Sequence, residues 1–120
     1  MEDAFSIFTH EGEGFRVVVV RGELDELTAP ELDEAIDADD LPAIVDLSNI
    51  VFISSAGINA LLRDRPARTT LVCPPGNVLR LFEIVRANRR VAIFETLEDA
   101  IESVTPRVRV LAGASTAVIS

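Results

Sequence analysis

The sequence predicts an α/β domain: a small mixed sheet of four or five strands covered by about four helices. Three observations predict it. Short β-branched segments alternate with amphipathic stretches of helical period along most of the chain. One strand segment, VVVV at 17–20, is apolar on both faces, as a strand covered on each side must be, and AIVDL at 43–47 reads as a further buried strand. The length of 120 residues, with 48% hydrophobic and 26% charged, suits one core and argues against disorder.

Phe5–Thr9 and Phe15–Arg21 flank the glycine-containing EGEG, a spacing that reads as two antiparallel strands and a tight turn. In T-A-P-E, Thr28 and Glu31 have the spacing of a reciprocal capping box, and Leu27 and Leu32 that of a hydrophobic staple. The helix they open would bury Leu32, Ala35 and Ile36 and turn Glu31, Asp33, Glu34 and Asp37 to water. Pro42 closes this region before the strand AIVDL. A second helix begins at Ser54 or Ser55, buries Ile58, Leu61 and Leu62, and is ended early by Pro66. Thr69–Cys73 reads as a strand, followed by the turn PPGN. A third helix would bury Val78, Leu81, Phe82 and Val85 and run to about Asn88, with Arg86, Arg89 and Arg90 at its negative end. Val91–Phe94 is a short strand. Thr96, with Asp99 three residues on, caps a last helix facing inward through Leu97, Ala100, Ile101 and Val104. One domain over 1–104 is expected, with 105–120 as an extension that is either an edge strand or disordered.

Charge narrows the function. The formal net charge is −9, which repels nucleic acid and anionic membrane surfaces. All 11 basic residues are arginine, so P-loop, Schiff-base and lysine-base chemistry are excluded. Residues 1–50 carry a net −12 and residues 51–120 a net +3, which suits either steering toward a basic partner or a solvated acidic helix. His10 is the lone histidine and Cys73 the lone cysteine, too few for a metal site or an internal disulfide. No cofactor and no catalytic residue is expected. The opening MEDAFSIF is acidic, unlike a secretory signal, and no run nears the roughly 20 apolar residues of a membrane span, so a cytoplasmic location without membrane insertion is expected.

One segment could carry a function. FISSAGI at 52–58 puts two hydroxyls and a glycine at a strand-to-helix junction, where free amides and the helix dipole favour negative charge. A phosphate on Ser55 would be tolerated by its own helix yet present about −1.5 to −2 charge to a docked partner. The same residues also read as a plain serine cap with a glycine for close packing.

VVRGELDELTAPEL at 19–32 followed by IVDLSNIVFISSAGINALL at 44–62 resembles the STAS domain of bacterial anti-sigma-factor antagonists, and LVCPPGNVLRLFEI with VAIFETLEDAI resembles that family's closing strand-helix-strand-helix. The resemblance spans roughly residues 5–104. It implies a protein that binds an anti-sigma factor, often also a serine kinase, and frees a sigma factor; phosphorylation of a loop serine ends binding, and a phosphatase restores it. Ser55 matches the phosphorylated serine, with Ser54 as an alternative acceptor. Asp25 matches an acidic residue beside that serine, and Asp46 the aspartate of the DLS element. The partner surface would comprise Asp25, Glu26, Thr28, Ser54, Ser55, Ala56, Gly57 and Asn59. Two departures stand out. Ser54 occupies a place where many members carry aspartate, and the second helix is short by about two turns. Two other functions fit the sequence: an unswitched STAS interaction or scaffold subunit of a signalling complex or transporter, and a small-ligand or nucleotide-binding domain using Gly57 and the helix start. The oligomeric state is not legible.

Overall fold

The computed structural model describes residues 5–105, together with the short segments 108–110 and 117–119. In chain order the elements are β1 (Ser6–Glu11), β2 (Arg16–Leu24), α1 (Ala29–Ile36), β3 (Ala43–Ile53), α2 (Ser55–Leu62), β4 (Thr69–Val72), α3 (Asn77–Ile84), β5 (Ala92–Phe94) and α4 (Leu97–Val104). Five strands form one mixed sheet in the order β1-β2-β3-β4-β5. The β1–β2 pair is antiparallel; its turn is closed by Gly12 N–H donating to Phe15 O at 2.9 Å, with Gly14 at φ +82°. The pairings β2–β3, β3–β4 and β4–β5 are all parallel, each crossing through a helix.

The valine run does what a doubly covered strand must. Val18 and Val20 join Leu24, Leu32, Val45, Leu61, Leu71 and Phe82 on the sheet face under α1, α2 and α3. Val17 and Val19 point the other way, where Phe15, Ile44, Val72 and Phe94 meet α4 through Leu97, Ala100 and Ile101. Three helices therefore cover one face and one covers the other. Thr96 caps α4 as expected, its Oγ1 accepting from Asp99 N–H at 3.2 Å.

β3 runs six residues past the predicted AIVDL, to Ile53. Its register with β2 slips by one residue between Val19 and Arg21 and again between Gly22 and Glu23. Each slip inserts an extra β3 residue, so the inward positions fall at Leu47, Ile50 and Ile53, three apart instead of two. Asp46 pins the first bulge: its Oδ1 accepts from Ser48 N–H at 3.0 Å and from Ser48 Oγ at 2.6 Å.

Five expectations are corrected. Thr28 makes no capping bond; its backbone is already helical and its hydroxyl turns back to the β2 end, so the box with Glu31 does not form. Leu27 is 83% exposed, so no staple joins it to the buried Leu32. Asp33 is not a solvated charge: Arg63 and Arg65 hold it at 3.0 and 2.5 Å, and its side chain is 19% exposed. In α3 only Phe82 is buried, while Leu81 and Val85 are exposed. That helix ends at Ile84; Arg86 takes a left-handed φ of 58° and a single 3-10 turn, Ala87–Arg89, replaces the expected last turn. The expected short second helix is present: α2 ends at Leu62, with Arg63 already extended three residues before Pro66.

Of the expected extension, Val108–Val110 pairs antiparallel with Ala117–Ile119 in a separate two-stranded sheet; the rest lies outside the described residues. Among the described residues no helix is long and apolar enough to cross a membrane.

Candidate functional site: the strand ends around Ser55

β2 and β3 end side by side, Leu24 opposite Ile53. The next residues, Asp25 and Ser54, leave the sheet together, and Ser54 N–H donates to Leu24 O at 2.9 Å. This one bond fixes the start of α2 against the end of β2.

The two serines are not equivalent. Ser54 is the N-cap: its backbone is extended, its carbonyl accepts from Ile58 N–H at 3.0 Å, and its Oγ accepts from Gly57 N–H at 3.4 Å. Ser55 is the first helical residue and is exposed, and its hydroxyl makes no hydrogen bond among the described residues. Ala56 is half-buried and Asn59 exposed. Gly57 is buried where the helix touches the β2 end; a Cβ there would come within 2.8 Å of Leu24 O and 2.9 Å of Ile53 Cγ1. Any larger residue would push α2, and with it Ser55, off the strands.

Asp25 and Thr28 build the turn into α1. Asp25 Oδ1 accepts from Leu27 N–H at 3.0 Å and Thr28 N–H at 3.1 Å, while Asp25 N–H donates to Thr28 Oγ1 at 2.9 Å. The Thr28 hydroxyl proton faces Glu23 O at 3.0 Å and Asp25 Oδ1 at 3.1 Å, serving one at a time. The Asp25 carboxylate therefore spends one oxygen on an Asx-type turn rather than on either serine. Asp46 lies seven residues before the strand end, so it acts on the bulge and not at the serine.

This end of the molecule combines negative charge with uncovered apolar side chains. Glu23 and Glu26 are exposed. So are Leu27 in the Asp25 turn and Val51 and Phe52 on the last bulge of β3, at 83%, 56% and 49%. The sequence reading missed all three. Leu27 fits a staple by spacing alone, and only the bulges turn Val51 and Phe52 outward. Such apolar groups rimmed by charge are the composition of a protein-docking surface.

Among the described residues no group of three or more histidine, cysteine, aspartate or glutamate side chains could hold a metal ion. His10 is exposed on β1, and Cys73 is buried beneath a cleft of about 450 Å3 between α3 and β5, where burial pushes its thiol up to about 11. Among the described residues the strand-end site presents an exposed serine hydroxyl, exposed carboxylates and exposed apolar side chains.

Comparison with known proteins bears on the family and the fold. The STAS domain profile matches residues 6–100. The fold is similar to the crystal structure of an anti-sigma factor antagonist from Mycobacterium paratuberculosis, with 26% identity and a TM-score of 0.76 over 84% of this chain and 94% of that one. A Thermotoga maritima protein assigned as an anti-sigma factor antagonist is similar in fold at 17% identity and a TM-score of 0.71, over 82% and 93%. So is the Bacillus cell fate determinant SpoIIAA in its phosphorylated form, at 22% identity and a TM-score of 0.60, over 85% and 100%. Among curated proteins no sequence relative matches.

Proposed function

This chain belongs to the STAS domain family, and from that membership we propose that it is an anti-sigma-factor antagonist switched by phosphorylation of Ser55. Members of the anti-sigma-antagonist branch are regulatory domains and not enzymes, and the chain shares their architecture. In this reading the strand-end surface docks onto an anti-sigma factor that is also a serine kinase, and the docked state frees a sigma factor. The kinase transfers the terminal phosphoryl group of ATP to Ser55 Oγ, releasing ADP and the hydroxyl proton, and a serine phosphatase restores the hydroxyl by hydrolysing the phosphoester with water and releasing inorganic phosphate.

The observation that carries the proposal is the division of labour between the two serines. Ser54 is spent on capping α2, whereas the Ser55 hydroxyl is exposed at the first helical position. A phosphate there lies at the positive end of α2, so the domain itself tolerates it. Its cost falls on the partner, because Asp25, Glu23 and Glu26 already make this end acidic and an added −2 charge opposes a surface matched to the unmodified form. The short α2 bears on partner choice: with two turns after Ser54 the docking surface relies on Leu27, Val51 and Phe52.

The test has two arms. The 52–63 peptide recovered from the native cell should carry phosphate on Ser55, read by mass spectrometry. In titration calorimetry against the captured anti-sigma factor, Ser55→Ala should bind like the native chain and Ser55→Asp about 100-fold more weakly, the weight of one misplaced charge in an interface. Equal binding by both variants would establish instead an unswitched scaffold subunit. Phosphate found on Ser54 alone would refute the assignment of the acceptor.

A further inference from the structure

Two neighbouring strands of the sheet send the chain to opposite faces. β4 continues into α3, on the face shared with α1 and α2, whereas β5 continues into α4 on the other. Parallel strands whose connections part in this way leave a crevice outside their carboxyl ends, the usual place for a small ligand in an open α/β sheet. Here the crevice is the cleft of about 450 Å3 between α3 and β5. Cys73, the first residue after β4, and Glu95, the first after β5, both line it. Cys73 N–H donates to Phe94 O at 2.8 Å, which holds the two strand ends together. From there the cleft follows the seam between α3 and β5 as far as Asn88 in the 3-10 turn.

Its lining joins apolar side chains to negative charge. Cys73 and Phe82 are fully buried, and Leu79, Ile93 and Phe94 are half-buried. The exposed part of the lining is Glu83 on α3, Asn88 and Glu95. Neither glutamate forms an ion pair among the described residues. No arginine among them lines this cleft either. The arginines of the crossing 63–68 and of the 3-10 turn line two separate clefts, at the amino ends of β3, β4 and β5. The crevice therefore pairs an apolar floor with two carboxylates that no cation of the chain neutralises.

We infer that this crevice binds a small organic amine, its protonated amino group held by Glu83 and Glu95 and its apolar body laid over Phe82 and Phe94. The volume is that of a small-ligand site, and a mostly apolar lining with a few polar groups is the usual composition of one. Each carboxylate can accept a charge-assisted hydrogen bond from an ammonium group, and aromatic faces attract the same charge. The net −9 of the chain also draws cations toward its surface. Other ligands fit less well. An anion would meet two carboxylates and no arginine, and a wholly apolar molecule would strip water from both glutamates without replacing it. A bare metal ion would find only two carboxylates over an apolar floor, short of a group of three ligands. None of these residues belongs to the surface around Ser55, so the inference stands apart from the switch proposed there.

The test titrates the full chain into tryptamine at constant ionic strength and follows the anisotropy of the indole emission. The chain has no tryptophan and no tyrosine, so the probe is read without background from the protein. Saturable binding with Kd below about 1 mM is expected. Tryptophol carries a hydroxyl in place of the amine, and indoleacetate carries a carboxylate. Both should bind at least about tenfold more weakly, the scale of one charge-assisted hydrogen bond. Glu83→Gln/Glu95→Gln should weaken tryptamine binding by at least about tenfold as well. Glu98→Gln/Glu102→Gln, an equal loss of charge on α4, should bind as the native chain does. All four side chains are exposed, and unchanged unliganded melting temperatures will show that both variants fold. Absence of saturable binding with the chain at about 2 mM overturns the inference. So does equal binding of tryptophol or indoleacetate, or an equal loss in the two double variants.

Discussion

Gly57 shows how little room there is at the junction that presents Ser55. Its missing side chain lets α2 lie directly on the end of β2, with Leu24 O and Leu24 Cγ each 2.8 Å from where a Cβ would stand. The carbonyl is held by Ser54 N–H and cannot retreat. Gly57→Ala should therefore cost about 1–3 kcal/mol by overpacking, which thermal unfolding will read as a fall of roughly 5–15 °C; an unchanged melting temperature would mean that the junction yields. Cys73 makes a second prediction, with a sign that can be worked out. Burial raises its thiol to about 11 in the folded chain, against about 8.5 for a free cysteine. Between those two values the unfolded chain releases the proton first. Stability should then fall as pH rises from about 8.5, and Cys73→Ser should flatten that limb of a melting-temperature profile. At pH 8 iodoacetamide should label the native thiol far more slowly than the denatured one.

At the next level up, Arg65 is the tie between α1 and α2. It comes from the crossing after α2, yet its guanidinium binds Asp33 on α1, Asp37 just past the end of α1, and the Ala60 carbonyl on α2. Arg65→Ala would leave the half-buried Asp33 with Arg63 alone, and should cost about 2 kcal/mol, below the range of a fully buried pair because Asp37 is half exposed. Denaturant unfolding will measure it, and Asp33→Asn in the same background should recover part of the loss. This tie also marks where sequence reading stops. Strand and helix order, the doubly buried valines and the Thr96 cap all follow from local pattern, and local pattern is visible in a string of residues. Asp33 and Asp37 look like the wet face of α1 because their partner lies 28 or more residues away, across a second helix. The length of β3 was hidden for a related reason: two bulges convert its inward spacing from two to three, so Leu47, Ile50 and Ile53 match neither strand nor helix period. In α1 the cap spacing of Thr28 and Glu31 was present, but Asp25 reaches the turn first and takes its amides. Around Ser55 the polar residues were legible as a motif, whereas the exposure of Leu27, Val51 and Phe52 depends on those same bulges and turns.

Over the whole molecule the decisive quantity is the distribution of charge. The first 50 residues carry a net −12 and supply β1, β2, α1 and most of β3, while the arginines gather in the later crossings and the 3-10 turn. The parallel strands set Glu23, Asp25 and Glu26 beside Ser55 at one end and the arginine-lined clefts at the other, where Asp37, Asp39 and Asp40 also lie. A partner approaching the serine end meets a long-range negative field before it touches Leu27 or Phe52, so charge should govern how fast a complex forms and apolar contact how long it lasts. This separation predicts distinct kinetic signatures. With the captured anti-sigma factor, raising salt from about 0.05 to 0.5 M should lower the association rate by about tenfold or more and change dissociation much less, since the Debye length shrinks from about 14 to 4 Å. Leu27→Ala should do the reverse, speeding dissociation with little effect on association. A phosphate placed on Ser55 would fall where the two meet and should act mainly on dissociation, because an added charge of about −2 changes a total of −9 only modestly at a distance but falls directly on the proposed contact. Stopped-flow mixing of native and phosphorylated chains resolves the two rates, and a phosphate effect confined to association would contradict this account of the surface.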